Sequence, residues 1–297
     1  MDQGKLPFPF HFFKLKLRLA IQTIMKTIFR SVLLIAALYL FNQCDRDDPD
    51  LYLNIPDNNF LNALIDLGVD TNSDRKISNS EAEEITYLDV TNKNISELSG
   101  IENFINLDTL ICIGNQLKKL DVSKNTSIIS LKCSENHISL LNISNNTSLK
   151  ELWCRENLLL NIDVSNNHFL QEMYCHDNQL KNLDISKNNA LEILVCDENL
   201  LTELNVSNNP HLKELWCRYN TINYLDVSNN PDLVILNCQN TNLEYLDISK
   251  NISLHYVYLN QITTLQKVCV WGMPFPPAGV YIDTTNSPNL YFTTDCN

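Results

Sequence analysis

Glycine is scarce in this 297-residue chain, with six in all. That leaves no material for a phosphate-cradling loop, whose turns and close backbone approach depend on glycine. Positive charge is also short: 22 lysines and arginines stand against 35 aspartates and glutamates, for a net charge of −13. So acidic a chain lacks the basic footprint that a phosphate backbone demands, and nucleic acid is not an expected partner. The patterns G-x-S-x-G, H-E-x-x-H and C-x-x-C do not occur, and the six histidines do not cluster. With no nucleophile elbow, zinc helix or redox pair, no catalytic residue is assigned and an enzyme is not expected. Long apolar runs are missing too: the run over 31–41 falls well short of the ~20 residues needed to span a bilayer.

Repetition is what the sequence has in abundance. Cys112, Cys133, Cys154, Cys175, Cys196, Cys217 and Cys238 follow one another at intervals of 21 residues. Around them runs a longer phrase, L-x-x-L-x-C-x-x-N-x-L-x-x-L-D-V-S-x-N, readable over 149–170. A fixed period of this length specifies a solenoid, in which each unit buries its apolar face only against its neighbours. Each ladder cysteine takes the second inward position of a short strand, as in Leu152-x-Cys154. Equivalent side chains on adjacent strands stand ~4.8 Å apart and parallel, whereas a disulfide brings its Cβ atoms to ~3.8 Å. The seven are therefore expected to be free thiols acting as small buried hydrophobes. Cys269 and Cys296 lie beyond the ladder and are expected to pair with each other, pinning a C-terminal cap over 266–297.

The front of the chain reads as a signal sequence over 1–43. Lys26 and Arg30 precede the apolar run, which has the length of a signal-peptide core, and Met25 is a natural start. Cys44 follows, as in bacterial lipoproteins, which it resembles; the resemblance implies acylation at Cys44 and placement in the outer membrane or at the cell surface. Gln43 departs from the small residue such signals carry before the cysteine. Without acylation the product would be secreted or periplasmic. Residues 44–50 form an acidic tether, similar to the tags that direct some lipoproteins outward.

Between 51 and 87 the pattern is helix, loop, helix. The loop Asp70, Asn72, Asp74, Lys76, Ser78 and Glu81 resembles a calcium-binding EF-hand loop, which implies side-chain oxygens at five of these positions and the Lys76 carbonyl at the sixth. Arg75 stands where that loop uses glycine. The resemblance implies a structural calcium ion covering the open end of the first coil.

From 88 to 265 the pattern L-x-x-L-x-(L/C)-x-x-N-x-L resembles bacterial leucine-rich repeats, the cysteine-laddered internalins in particular. It implies an α/β solenoid with a 21-residue period, a parallel sheet on the open face, an irregular or 3-10 convex side and the small helical cap. Asn115, Asn136, Asn157, Asn178, Asn199 and Asn220 form a ladder whose amides can satisfy backbone groups at the turn; Thr241 breaks it. The L-D-V-S-x-N runs supply local turn bonds and incidental N-x-S/T sequons at Asn125, Asn146 and Asn205. After Leu259 the spacing contracts, which suggests the column is ending.

Outward positions of the open sheet read Ile111, Lys132, Trp153, Tyr174, Val195, Trp216, Asn237 and Tyr258 down the centre. Glu151, Glu172 and Glu214 lie on one flank and Arg155, His176 and Arg218 on the other. Trp153, Tyr174 and Trp216 among charged groups form an expected recognition stripe. A protein ligand is expected for a monomeric, lipid-anchored chain. Glycan capture and a purely structural spacer are the alternatives.

Overall fold

The computed structural model describes residues 52–296. The expected signal sequence, Cys44 and the acidic tether lie outside the described residues.

Ten three-residue strands, from Tyr87–Asp89 to Tyr281–Asp283, pair in parallel and in register to form one continuous sheet. Their middle residues form a single inward row: Leu131 aligns with Leu152, Leu152 with Met173, Met173 with Leu194 and Leu194 with Leu215. All five are fully buried, as are the seven ladder cysteines. Alternation along a strand explains why Leu-x-Cys faces the interior while the residue between them faces out. The seven thiols are free, and burial pushes Cys133 and Cys175 up to about 12.

Two asparagine ladders close the coils. Each member of the first is bonded into its own coil and the preceding one. Asn157 Nδ2 donates to Cys154 O, Arg155 O and Cys133 O, while its Oδ1 accepts from Ile138 N at 2.8 Å. At the break, Thr241 retains only a bond from its Oγ1 to Cys238 O at 2.8 Å. The second ladder is Asn125, Asn146, Asn167, Asn188, Asn209, Asn230 and Asn251, all fully buried. Its amides donate across to the preceding coil, as Asn167 does to Ile143 O at 3.2 Å and Asn146 O at 2.8 Å. The sequons at Asn125 and Asn146 are therefore inside the wall, whereas Asn205 is exposed.

The residue before each first-ladder asparagine is left-handed. Glu135, Glu156, Asp177, Glu198 and Tyr219 have φ between 51° and 56°. Gly114 opens this series at φ 66°, and a Cβ there would collide with Asn92 Oδ1.

The convex side is more regular at its ends than expected. Lys119–Asp121 pairs with Leu140–Asn142, and Tyr245–Asp247, Lys267–Cys269 and Tyr291–Thr293 form a second small parallel sheet. Between them, segments 161–163, 182–184, 203–205 and 224–226 are not strands. The same local bond forms in coils of both kinds, as Asp163 Oδ1 accepts from Ser165 N at 2.9 Å and Asp121 Oδ1 from Ser123 N at 2.9 Å.

The C-terminal stretch corrects the boundary at 265. It continues the column rather than folding back over an edge: Val257 pairs in parallel with Ile282, and Val268 with Phe292. The apparent contraction after Leu259 is the start of a longer coil that takes 25 residues from Val257 to Ile282. The extra length holds the Met273–Pro277 loop, where Phe275 packs on Trp271 and Phe292 at centroid distances of 5.0 and 5.1 Å. Cys269 and Cys296 are bridged, with Cα atoms 5.5 Å apart.

At the other end, helices α1 (Asn58–Asp66) and α2 (Asn79–Glu83) cover the first coil. Phe60, Ala63 and Leu64 of α1 enter the common core. Asp57 joins the two parts. Its Oδ1 caps α1 through Asn59 N and Phe60 N, and its Oδ2 accepts from Ser96 N and Oγ at 2.7 and 2.6 Å. Burial opposes the charge on Asp57, but these bonds hold its carboxyl below the usual range.

Candidate binding surface

The parallel register sets outward side chains of successive coils side by side, ~4.8 Å apart along the column. Trp153, Tyr174 and Trp216 are half-buried by their neighbours. Trp153 meets Tyr174 edge to face at 5.2 Å. Val195 then separates Tyr174 from Trp216. Beyond it the small, buried Asn237 lets Trp216 stack over Tyr258 at 6.1 Å, and Tyr258 continues to Tyr281 at 5.7 Å. Tyr281 also approaches Tyr256 at 6.5 Å. The aromatic stripe is thus two clusters, and Tyr256 and Tyr281 join the second. Tyr281 escapes a reading at fixed period because its coil is longer than the others; the alternation in Tyr281-Ile282-Asp283 was the available signal.

The charged flanks are ordered by pairing between coils. Lys132 forms an ion pair with Glu151 at 3.0 Å and sits 4.0 Å over the Trp153 ring. Arg155 pairs with Glu135 at 2.7 Å and with Glu156. Arg218 pairs with Asp197 at 2.9 Å and Glu198 at 3.5 Å, and lies 5.5 Å from the Tyr219 ring. Glu172 accepts from Tyr174 Oη at 3.5 Å, and Glu214 from Trp216 Nε1 at 3.2 Å.

Burial shapes the ionisation here. Asp197 is nearly inaccessible, and desolvation raises its carboxyl to about 6 despite the Arg218 guanidinium beside it. His176 is pushed below its ordinary value by burial and by Arg155, outweighing the opposite pull of Asp177, with Arg218 adding to the fall. The Tyr174 phenol is pushed up by burial and then by Glu172, Glu214 and Glu151. The structure therefore brings all nine stripe residues onto one face.

By residue type the cap loop carries oxygen at the six expected positions, the donor class that calcium takes, but the carboxylates of Asp70, Asp74 and Glu81 do not converge on one point. Asp70 Oδ1 and Oδ2 accept from Asp74 N and Arg75 N, Asn72 Oδ1 from Asp74 N, and Asp74 Oδ1 from Lys76 N. Arg75 takes φ 65°, the left-handed conformation that glycine serves in such loops. Glu81 differs from the expected arrangement. Its Oε1 accepts from Thr71 N and Oγ1 at 2.8 Å, and its Oε2 from Ser78 N and Oγ at 2.9 Å. Burial works against its charge, but these bonds hold the carboxyl at about 2. In place of a second loop, Leu53 N donates to Ile77 O at 2.8 Å beside an antiparallel bridge between Tyr52 and Ser78.

No family model and no curated protein matches the chain. Among solved structures, it is similar to the functional domain of internalin J from Listeria monocytogenes, which includes a cysteine ladder. That match has 28% identity and a TM-score of 0.58, and covers 72% of this chain and 56% of that one. Internalin C2 from the same organism matches at 22% identity and TM-score 0.57, covering 67% of this chain and 91% of that one. A leucine-rich repeat protein of Leptospira interrogans matches at 19% identity and TM-score 0.56, covering 72% and 62%. This chain thus spans just over half the length of the internalin J structure. Register, period, buried thiols and these likenesses lead to one conclusion: the molecule is a leucine-rich repeat solenoid with a cysteine ladder, similar to that of internalin J.

Proposed function

We propose that this is an exported recognition protein that binds a macromolecular partner, a protein, through the open sheet. The observation that carries this reading is the stripe itself: half-buried aromatics in the centre, with hydrogen-bonded and paired charges on both sides. Such rigid, partly desolvated Trp, Tyr and Arg groups are the usual anchors of protein interfaces. In this reading Trp153, Tyr174 and Trp216 supply contact area, and Glu151, Glu172, Glu214, Arg155, His176 and Arg218 set orientation. The protein acts as a monomer held to the outer membrane or cell surface through Cys44. A glycan partner is the second reading, favoured by the exposed Tyr256 and Tyr281 beside Tyr258. We further propose that the cap loop takes calcium as a structural ion through Asp70, Asn72, Asp74, Ser78, the Lys76 carbonyl and Glu81, with Glu81 exchanging its Thr71 bonds for the metal.

The test compares two triple variants against a partner captured by the wild type. Trp153→Ala/Tyr174→Ala/Trp216→Ala should abolish binding, while Leu140→Ser/Leu160→Ser/Tyr224→Ser on other exposed positions should not. Equal loss in both, or loss only in the second, would move the site off the sheet.

A further inference from the structure

Between residues 130 and 219, the sheet face and its turn row carry eight carboxylates: Glu135, Glu151, Glu156, Glu172, Asp177, Asp197, Glu198 and Glu214. Three cations stand in those same rows, Lys132, Arg155 and Arg218, while Lys150 and Lys213 lie just before the strands and Lys213 is paired with Glu192 at 2.6 Å. All three are committed to ion pairs within the chain. His176 does not redress the balance, since burial and the neighbouring Arg155 and Arg218 disfavour its protonated form. The field that faces a partner is negative.

The chain also shows how this surface holds a cation. In one coil, Glu151 on the flank and Trp153 in the centre form a niche, and Lys132 from the preceding strand fills it, 3.0 Å from the carboxylate and 4.0 Å from the ring. The same carboxylate-plus-aromatic pair recurs as Glu172 with Tyr174 and as Glu214 with Trp216. For those niches the residues in register with Lys132 are Trp153 and Val195, so the chain supplies no cation. Among the described residues neither Glu172 nor Glu214 has an ion-pair partner; each accepts one bond, from the aromatic of its own strand. Beside burial, Glu172, Glu214 and Glu151 all push the Tyr174 phenol up.

Resting on the sheet-face reading above, we infer that the partner presents a basic segment whose lysine or arginine side chains enter the Glu172–Tyr174 and Glu214–Trp216 niches. A cation over an aromatic ring gains from the ring quadrupole, and the adjacent carboxylate adds a charge-assisted hydrogen bond. The two carboxylates stand two strands apart, roughly 10 Å along the column. That spacing favours a partner with at least two basic groups over a single one.

The test uses the full chain and a fluorescent lysine-rich peptide, with the same peptide fully acetylated at lysine as control, read by anisotropy at low and high salt. The lysine peptide should bind and the acetylated one should not. Glu172→Gln/Glu214→Gln should weaken binding at least ten-fold. Asp184→Asn/Asp226→Asn, which removes the same charge from the convex side, should change it less than two-fold. Lys132→Gln should strengthen binding, because it releases the Glu151–Trp153 niche to the peptide. Equal loss in the two double variants would mean diffuse attraction to an acidic protein and would overturn the inference, as would acetylated peptide binding equally well. Competition by a neutral oligosaccharide with no effect of charge removal would transfer the niches to a glycan. Each of these refutes the basic segment alone; the sheet-face reading fails separately, by the aromatic triple variant retaining its captured partner.

Discussion

Asn157→Ala is the sharpest test of how the coils are joined. The side chain makes four bonds, yet their loss is unequal. Cys133 O keeps a bond from Asn136 Nδ2, Cys154 O keeps one from Asn178 Nδ2, and Arg155 O keeps one from Glu135 N. Ile138 N loses the acceptor it has in Asn157 Oδ1, in a residue with no solvent access. An orphaned buried donor costs about 1–3 kcal/mol, and each bond lost to an already satisfied carbonyl at most ~1 kcal/mol. The expected loss is about 3 kcal/mol, centred on the coils carrying Ile138 and Asn157. Because a solenoid is held by nearest-neighbour contacts, the effect should also be local. Urea unfolding gives the total, and hydrogen exchange at the Ile138 amide gives the place. Asn157→Thr, which copies Thr241, should recover part of the loss through a hydroxyl bond to Cys154 O. An Ile138 amide exchanging as slowly in Asn157→Ala as in the wild type, with an unchanged midpoint, would refute the reasoning.

The ladder thiols should resist alkylation in the native protein and react only on unfolding, since all seven are fully buried and burial pushes Cys133 and Cys175 up to about 12; Cys269 and Cys296 should need reductant first. Mass spectrometry finding bridges between ladder positions would contradict this. Asp197 has a folded pKa of about 6 against an ordinary 3.8, so the native state holds its proton longer and stability should fall as pH rises through that window. Asp197→Asn should remove that slope in melting curves taken from pH 4 to 7, and an unchanged slope would assign it elsewhere. Calcium should raise the melting temperature by binding the folded state alone, and Asp70→Ala should abolish the shift. No heat in calorimetry at millimolar calcium would leave Glu81 as a hydrogen-bonding brace for the cap.

Sequence reading reached the parts of this molecule that depend on period. Leu152-x-Cys154 states both the strand and its buried face, and the interval of 21 residues states its parallel neighbours. What it missed depends on how a coil closes on itself. Asn146 and Asn167 stand two residues after Ser144 and Ser165, in runs whose other polar residues make exposed turns, and only the closed coil turns their amides inward. The final coils were hidden because Val257 and Ile282 pair across an interval that the ladder does not use. The stripe was legible as a row of residue types. Which of its charges are already paired was not, because pairing of Arg155 with Glu135 or Arg218 with Asp197 is fixed by side-chain directions between coils. The EF-hand resemblance implied Glu81 as a metal ligand, and it does not show the bonds that Thr71 and Ser78 make to both its oxygens.

The uniform coil has a genetic consequence. Each ladder asparagine and each strand residue finds its partner one repeat away, so removal of residues 155–175 would join Cys154 to His176 and return every row to register. Unequal exchange between repeats in the coding sequence can therefore shorten or extend the wall in steps of 21 residues without redesigning a single contact type. The gain or loss falls on the stripe, where each step adds or deletes one row of flank, centre and flank. The two ends are not interchangeable in this way. Asp57 is bonded to the particular coil that carries Ser96, and Cys269 to the particular strand that ends near Cys296. Variation among relatives of this protein should accordingly appear as differing numbers of middle coils between constant ends, which changes the length of the open sheet in whole rows.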